Sequence, residues 1–335
     1  MENKKKILLI IDSNSIIHRA FHALPPLSTN KGELVNAVYG FLLVFLKAIK
    51  DFRPDFIAAA FDFTALTFRH KEYKEYKAKR PKTPEDLSEQ IPKVKEILKA
   101  FKVPVFEKQG FEADDIIGTI AGKAGISSGR IETIILSGDS DVFQLVDSRT
   151  KVYFLKKGVK DIVLYDEKLT EEKFQGLVPE QILDFKALRG DPSDNIPGVR
   201  GIGGKTALEL LRRFGNLENI YKEIEEDKSS SLSREVEENS EETENLRPKL
   251  KETLRQGKEQ AFLSRRLAVI RKDVEVDFDF DEYCWLEYDE KEVLEIFKKW
   301  GFNSLASRLL KNGRLGQEEK ADTGQKTIQK KMKLW

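Results

Sequence analysis

Between Gly110 and Gly118 the chain reads Gly-Phe-Glu-Ala-Asp-Asp-Ile-Ile-Gly, placing Glu112, Asp114 and Asp115 ahead of the apolar Ile116, Ile117 and Ile120 of a helix. A helix N-terminus accepts one acid, because its unpaired N–H groups carry partial positive charge. Three exceed that need. Carboxylates this close raise one another's pKa unless a cation or a set of donors neutralises them. Other acids occupy positions of the same kind. Asp12 follows Lys6–Ile11 and Asp62 follows Phe56–Phe61, both continuous apolar runs typical of strands buried on two faces. Asp139 and Asp141 follow a third run, Glu132–Ser137, in a Gly-Asp-Ser-Asp turn whose spacing lets both side chains approach one cation. Asp191 and Asp194 belong to Gly190-Asp-Pro-Ser-Asp-Asn195. Gathered at one sheet edge, these acids could not stay ionised and dry without cations. Hard, oxygen-seeking Mg2+ suits them, and two ions roughly 4 Å apart would clamp the attacking and leaving oxygens of a phosphodiester displacement.

The elements that must position these acids can be read from the apolar pattern. Strands at 6–11, 56–61, 103–106 and 132–137 alternate with helices at 16–21, 34–49, from Pro84 to about Phe101, and after Asp114. Lys151–Leu155 and Asp161–Tyr165 form a hairpin through Lys157-Gly158. The fold class is therefore α/β, with a mainly parallel central sheet flanked by helices and acids at three strand ends. After Pro179 the pattern is helical. Gly198-Val-Arg-Gly-Ile-Gly-Gly-Lys-Thr opens a helix reaching Phe214, and a glycine-rich turn there exposes backbone N–H groups to phosphate. It is not a nucleotide P-loop: the required glycine position holds Val199, with Gly198 one place early, and no strand precedes it. A helix-hairpin-helix over 198–214 fits better. Helices return over 246–270 and as a short pair from Tyr288 to Leu310 around Trp300.

A single cysteine, Cys284, excludes an internal disulfide and a cysteine-rich zinc site, and three histidines leave oxygen as the metal-binding atom. No apolar run reaches the length of a membrane span, and the expected compartment is the cytoplasm. The net charge of +1 hides separated fields. Residues 69–82 carry seven Lys/Arg against two Glu, 223–244 ten acids against two bases, and 311–335 seven bases against three acids. In the first block aromatic and basic residues alternate, which suits a segment that meets nucleic acid, with Tyr73 or Tyr76 stacking on a base.

Taken together, Ile11-Asp12, Phe61-Asp62, Phe68-Arg69-His70, Tyr76-Lys77-Ala78-Lys79-Arg80, Glu112-Ala-Asp-Asp115, Asp139-Ser-Asp141, Gly190-Asp-Pro-Ser-Asp-Asn195 and Gly198-Val-Arg-Gly-Ile-Gly203 resemble the N-terminal 5′ nuclease (5′-3′ exonuclease) domain of bacterial DNA polymerase I, in the flap endonuclease superfamily. The resemblance covers about Lys6 to Leu310. It implies a PIN-like or resolvase-like core over 1–178 with a helical arch at about 68–100, a helical DNA-binding region over 179–310, and a basic tail over 311–335. It assigns Asp12, Asp62, Glu112 and Asp114 to a first Mg2+ and Asp139, Asp141 and Asp194 to a second, with Asp115 and Asp191 as outer ligands and Mn2+ as a substitute. Lys77, Arg80 and Arg69 would hold the scissile phosphate. Tyr39, Tyr73 and Tyr76 join Gly198, Gly201, Gly203, Lys205 and Thr206 as the substrate-binding set, with K+ at the helix-hairpin-helix. The implied substrate is DNA with 5′ flaps, nicks or ends and RNA–DNA primer junctions, cut by a monomer near the nucleoid. A DNA-binding module without catalysis and a PIN-type ribonuclease are the alternatives.

Two departures from that pattern stand out. The acidic stretch 223–245 is longer than the family leads one to expect and reads as a solvent-facing helical insertion. No polymerase portion follows, so the expectation is either a free-standing nuclease or a cut polymerase. The ending Met332-Lys-Leu334-Trp335 resembles the short peptides that bind the bacterial sliding clamp, with Lys331 where such peptides carry glutamine.

Overall fold

The computed structural model describes residues 5–126, 131–230, 246–280, 283–285 and 288–311. The stretch 231–245 of the acidic insertion and the clamp-like tail lie outside the described residues. Six strands form one sheet: β1 (Lys6–Asp12), β2 (Phe56–Ala60), β3 (Val105–Phe106), β4 (Ile131–Ser137), β5 (Thr150–Lys157) and β6 (Asp161–Tyr165), in the order β3-β2-β1-β4-β5-β6. All neighbours are parallel except the β5–β6 hairpin. The direction of strand order reverses between β1 and β4. At such a switch point the chain segments leaving adjacent strands part to opposite faces and open a crevice. Asp12 pairs in register with Ala60, and Ile11 with Leu136, so Asp62, Asp12 and Asp139 all leave the sheet at that one edge.

The strands are apolar on both sides because both faces are covered. On one face lie α1 (Ser13–Ala23), α2 (Asn36–Phe52), α4 (Glu85–Ser88) and α5 (Ile91–Ala100), reached after the short α3 (Phe68–Glu72). α6 (Ala113–Ile126) covers the other. α7 (Glu167–Lys173) leads into a second core built by α8 (Pro179–Arg189), α9 (Gly204–Phe214), α10 (Leu217–Ser230), α11 (Pro248–Gln256) and α12 (Lys258–Ala268). The chain then returns along the sheet through Ile270, Val274, Val276 and Phe278. α13 (Glu290–Lys299) and α14 (Asn303–Lys311) close the first face, with Phe297 and Leu305 buried there. Among the described residues no helix is long and apolar enough to cross a membrane.

One expected element differs. The helix predicted from Pro84 to Phe101 is interrupted at Glu89–Gln90, because Pro92 in the first turn of α5 has no N–H to continue the ladder, while Gln90, whose backbone stays helical, turns its side chain to another task. Its side-chain oxygen accepts from Ala37 N at 2.8 Å, and so caps α2, whose own N-cap Val35 has no side chain able to do it. Residues 73–84 are turns and extended chain, so the 68–100 arch is helical only in its three short pieces.

Candidate active site

Asp12 ends β1 and uses both carboxylate oxygens. Oδ1 accepts from Ser15 N at 3.2 Å, capping α1, and Oδ2 accepts from the Ser137 hydroxyl at 2.5 Å. The same hydroxyl accepts from Asp139 N at 2.8 Å, which ties the ends of β1 and β4 together. Asp62, past the end of β2, accepts from Ala113 N at 2.8 Å and so caps α6, whose positive end holds Glu112 and Asp114 beside it. The Asp139 side chain caps a 3-10 turn, Ser140–Leu145, by accepting from Asp141 N at 3.0 Å. Asp194 arrives from the loop after α8.

These side chains line one cavity of about 210 Å3: Asp12, Asp62, Glu112, Asp114, Asp139, Asp141 and Asp194, with Lys77 and Arg80. Three of the carboxylates are paired. Lys77 Nζ donates to Glu112 at 2.8 Å, Arg80 to Asp194, and Lys186, from α8, to Asp141. Asp12, Asp62, Asp114 and Asp139 have no cation within salt-bridge distance among the described residues. Burial and, less strongly, Asp139 push the Asp12 carboxyl up to about 6 against the Ser137 and Ser15 hydrogen bonds. Burial and then Asp139 push Asp141 to about 7 despite Lys186. Burial, with Asp12, Asp139 and Asp141 adding to it, holds Asp114 well above the carboxylate range, and burial raises Asp62 as well. Among the described residues the groups stand along the cavity wall and no three converge to enclose an ion. Hard oxygen donors in excess of their counter-charges nevertheless fit divalent cations, which would relieve the repulsion that raises these pKa values.

Several residues read from the sequence as parts of this site do other work. Arg69 is 2% exposed, and every N–H it has is taken. Nε donates to Leu267 O, Nη1 to Asp115 and Glu112, and Nη2 to Asp115 and Val269 O, all at 2.7–3.3 Å. No donor remains for a phosphate, so Arg69 pins α3 to α6 and to the end of α12. Asp115, fully buried, accepts from Arg69 through both oxygens and from Glu112 N and Arg271 N, which leaves no lone pair directed at an ion. Tyr76 has no exposed ring face for a base: it is 2% exposed, and its hydroxyl lies 3.1 Å from both Glu112 and Asp194. Tyr39 packs edge-on against Phe302 and bonds Ser304 at 3.0 Å, away from the cavity. Tyr73 is half-buried, its hydroxyl on Glu75. Asp191 is held 2.8 Å from Lys186 and does not line the cavity; against its burial, Lys186 and Ser193 draw it down to about 2.

In the hairpin between α8 and α9 the glycines divide. Gly198, at φ +64°, lies so close to Gly190 that a Cβ would collide with its backbone, and its N–H donates to Ser264 at 3.0 Å. Gly201, Gly203 and Lys205 are exposed, Gly203 with open space where a Cβ would stand; Thr206 is half-buried. Sequence reasoning missed Ser137, Ser15, Lys186 and His18, which also faces the cavity. Ser137 carries a signal, since it sits between an apolar strand and Gly-Asp. Lys186 lies on the helix five residues before Asp191 and reaches the site only because α8 packs beside the 3-10 turn.

A sheet of this order with carboxylates at its switch point, where dinucleotide-binding proteins have a glycine-rich turn, is the resolvase-like class of α/β core. Residues 7–175 match the 5′-3′ exonuclease N-terminal resolvase-like domain, and residues 177–291 the 5′-3′ exonuclease C-terminal SAM fold. The chain belongs to the 5′-3′ exonuclease family. It is 43% identical over 305 residues to DNA polymerase I of Bacillus caldotenax, covering 91% of this chain and 32% of that protein. DNA polymerase I of Bacillus subtilis is 39% identical over 327 residues, covering 97% of this chain and 35% of that protein. The chain thus spans about a third of the length of the curated relatives it matches. The fold is also that of the T5 5′-exonuclease with zinc bound, at a TM-score of 0.59 and 21% identity over 92% of this chain and 98% of that one. The catalytic core of Rad2 in complex with DNA substrate gives 0.56 and 19% over 92% and 93%. Flap endonuclease-1 from Methanococcus jannaschii gives 0.54 and 16% over 93% of each.

Proposed function

We propose that the chain is a divalent-metal-dependent 5′ nuclease that hydrolyses DNA phosphodiester bonds at 5′ ends and 5′ flaps, including RNA–DNA primer junctions. The observation that carries this is the set of four carboxylates without a salt-bridge partner among the described residues, Asp12, Asp62, Asp114 and Asp139, lining one cavity together with the paired Glu112, Asp141 and Asp194. Asp12, Asp62, Glu112 and Asp114 would hold one Mg2+, and Asp139, Asp141 and Asp194 the other, with Mn2+ able to replace them. Such ions supply Lewis acidity toward a phosphodiester. The chain's own side chains do the rest. Lys77 and Arg80 at present neutralise Glu112 and Asp194. With those carboxylates engaged by cations, Lys77 and Arg80 would be free to donate to the non-bridging phosphate oxygens and offset the charge that grows there in the transition state. Ser137 keeps Asp12 and Asp139 in fixed relation, and Lys186 steadies Asp141 from outside the cavity.

DNA as substrate draws support from the structural relatives, among them a T5 flap endonuclease in complex with DNA and metal ions. The open Gly201–Gly203 turn, Lys205 and Thr206 would follow the duplex backbone, with K+ bound at the hairpin. Cutting of a 5′-flapped duplex in Mg2+, absent in EDTA and lost in Asp139→Ala while duplex binding persists, is the expected result. Binding without cutting by the parent protein at every divalent ion tried would remove the proposal. Arg80→Ala should slow turnover more than it weakens binding.

A further inference from the structure

Three histidines are few for a metal site, yet two of them stand one turn apart on α1. His18 and His22 are at i and i+4, a spacing that puts two side chains side by side on one helix face, roughly 5–6 Å apart at Cβ. Both line an open cleft of about 480 Å3 beside the acidic cavity, and His18, Ser15 and Asp139 belong to the wall that the two spaces share. Among the described residues neither imidazole has a hydrogen-bond partner; His22 stands at right angles to Phe21, with 5.2 Å between ring centroids. Burial and then His22 hold the His18 imidazole below its ordinary value, which keeps the ring neutral and a lone pair available. Arg19, between them in sequence, donates to Gly138 O at 2.8 Å and to Lys156 O at 3.3 Å, and so is turned to the ends of β4 and β5.

Two neutral imidazoles at this spacing make a bidentate chelate, and nitrogen donors select transition ions over Mg2+, which prefers oxygen. The carboxylates of the neighbouring cavity, Asp139 among them, add a negative field that favours a dication there. We propose that His18 and His22 bind a divalent transition ion of the Zn2+ class, and that its occupancy inhibits cutting because the ion stands in the wall shared with the acidic cavity. Among the described residues no third His, Cys, Asp or Glu converges with the pair, so water completes the coordination and the ion exchanges with its free pool. That is the behaviour of a regulatory site; a structural zinc site is closed by four protein ligands. The chelate rests on the helix geometry alone, and its effect on cutting rests on the nuclease reading above.

Cu2+, which shares the preference for imidazole and carries an unpaired electron, is the probe for the chelate. In the full chain with Mg2+ in excess and equimolar Cu2+, electron spin-echo modulation should count two imidazole nitrogens on the ion, and a single one in His22→Gln. An ion held by oxygen alone, or the same nitrogen count in both proteins, overturns the proposal. His22 is exposed and its replacement removes no hydrogen bond among the described residues, so the variant should keep its fold, which a melting curve checks. Added Zn2+ should inhibit cutting of a flapped duplex by the parent in excess Mg2+. His22→Gln, equally active without Zn2+, should need roughly a hundredfold more of it, since one imidazole has lost the chelate. Equal sensitivity would put the inhibitory ion on the carboxylates and overturn the regulatory role. A parent that shows both nitrogens and cuts nothing sinks the nuclease reading and upholds the chelate.

Discussion

Two arginines from one basic segment have opposite tasks. Arg80 is half exposed on its side chain and meets a single carboxylate of the cavity, whereas Arg69 is enclosed and spends all its donors inside the protein. Arg69→Ala would leave Asp115 buried, charged and without its partner, an arrangement that costs about 3 to 5 kcal/mol. Urea unfolding should show that loss, and a stable variant with impaired cutting would restore a phosphate role for Arg69. Ser137 is fully buried, and its hydroxyl is donor to Asp12 and acceptor for Asp139 N. Groups that orient ligands in this way are worth roughly tenfold or more in metal affinity. Ser137→Ala should therefore weaken Mn2+ binding, followed calorimetrically, by about that factor, and Ser137→Thr, which keeps the hydroxyl, should recover most of it. Equal affinities in the two variants would show that the hydroxyl does not orient the acids.

At the scale of elements, the site depends on caps supplied from a distance. α6 is capped by Asp62 from β2, α1 by Asp12 from β1, and α2 by Gln90 from the break between α4 and α5. The hairpin between α8 and α9 depends on backbone contact instead. Gly198 has a positive φ and no room for a Cβ beside Gly190, while Gly203, at φ −89°, has no atom within 4 Å of where its Cβ would stand. Gly198→Ala should thus lose well over 1 kcal/mol, since conformation and collision act together. Gly203→Ala should keep its stability to within about 1 kcal/mol, as a change at an N-cap, and yet weaken duplex binding if phosphate approaches there. Thermal melting and anisotropy on the two variants separate these effects.

For the whole molecule, the acid cluster links stability to pH and to cations. The folded pKa values of Asp12, about 6, and Asp141, about 7, lie above the ordinary aspartate value of about 3.9 expected of the unfolded chain. The folded state therefore binds more protons between about pH 4 and 7, and stability falls as pH rises through that window. Asp191, drawn down to about 2, has the opposite sign, but its contribution is complete by about pH 4 and lost only below it. Divalent ions compete with those protons, so their stabilisation should grow with pH. Melting temperatures in EDTA and in Mg2+ at about pH 5.5, 6.5 and 7.5, values chosen to span the window, should diverge as pH increases. A constant difference would mean that the cluster does not take up the ion.

The sequence by itself determined the local elements and the donors. Apolar runs such as Lys6–Ile11 can be satisfied only as strands covered on both faces, and acids directly after them are placed at a sheet edge by chain continuity alone. That is why Asp12, Asp62 and Asp139 are legible as candidates from the chain alone, and the hairpin at Lys157-Gly158 likewise. Tertiary structure alone decided which charges face one another. Arg69 and Asp115, or Lys186 and Asp141, are 46 and 45 residues apart, and their pairing depends on how α3, α6 and α8 pack. Composition also marked Tyr76 as a stacking residue, because burial is a property of the assembled surface and no local pattern reports it. Long-range packing sets desolvation, and desolvation turns a row of ordinary aspartates into a site that calls for cations.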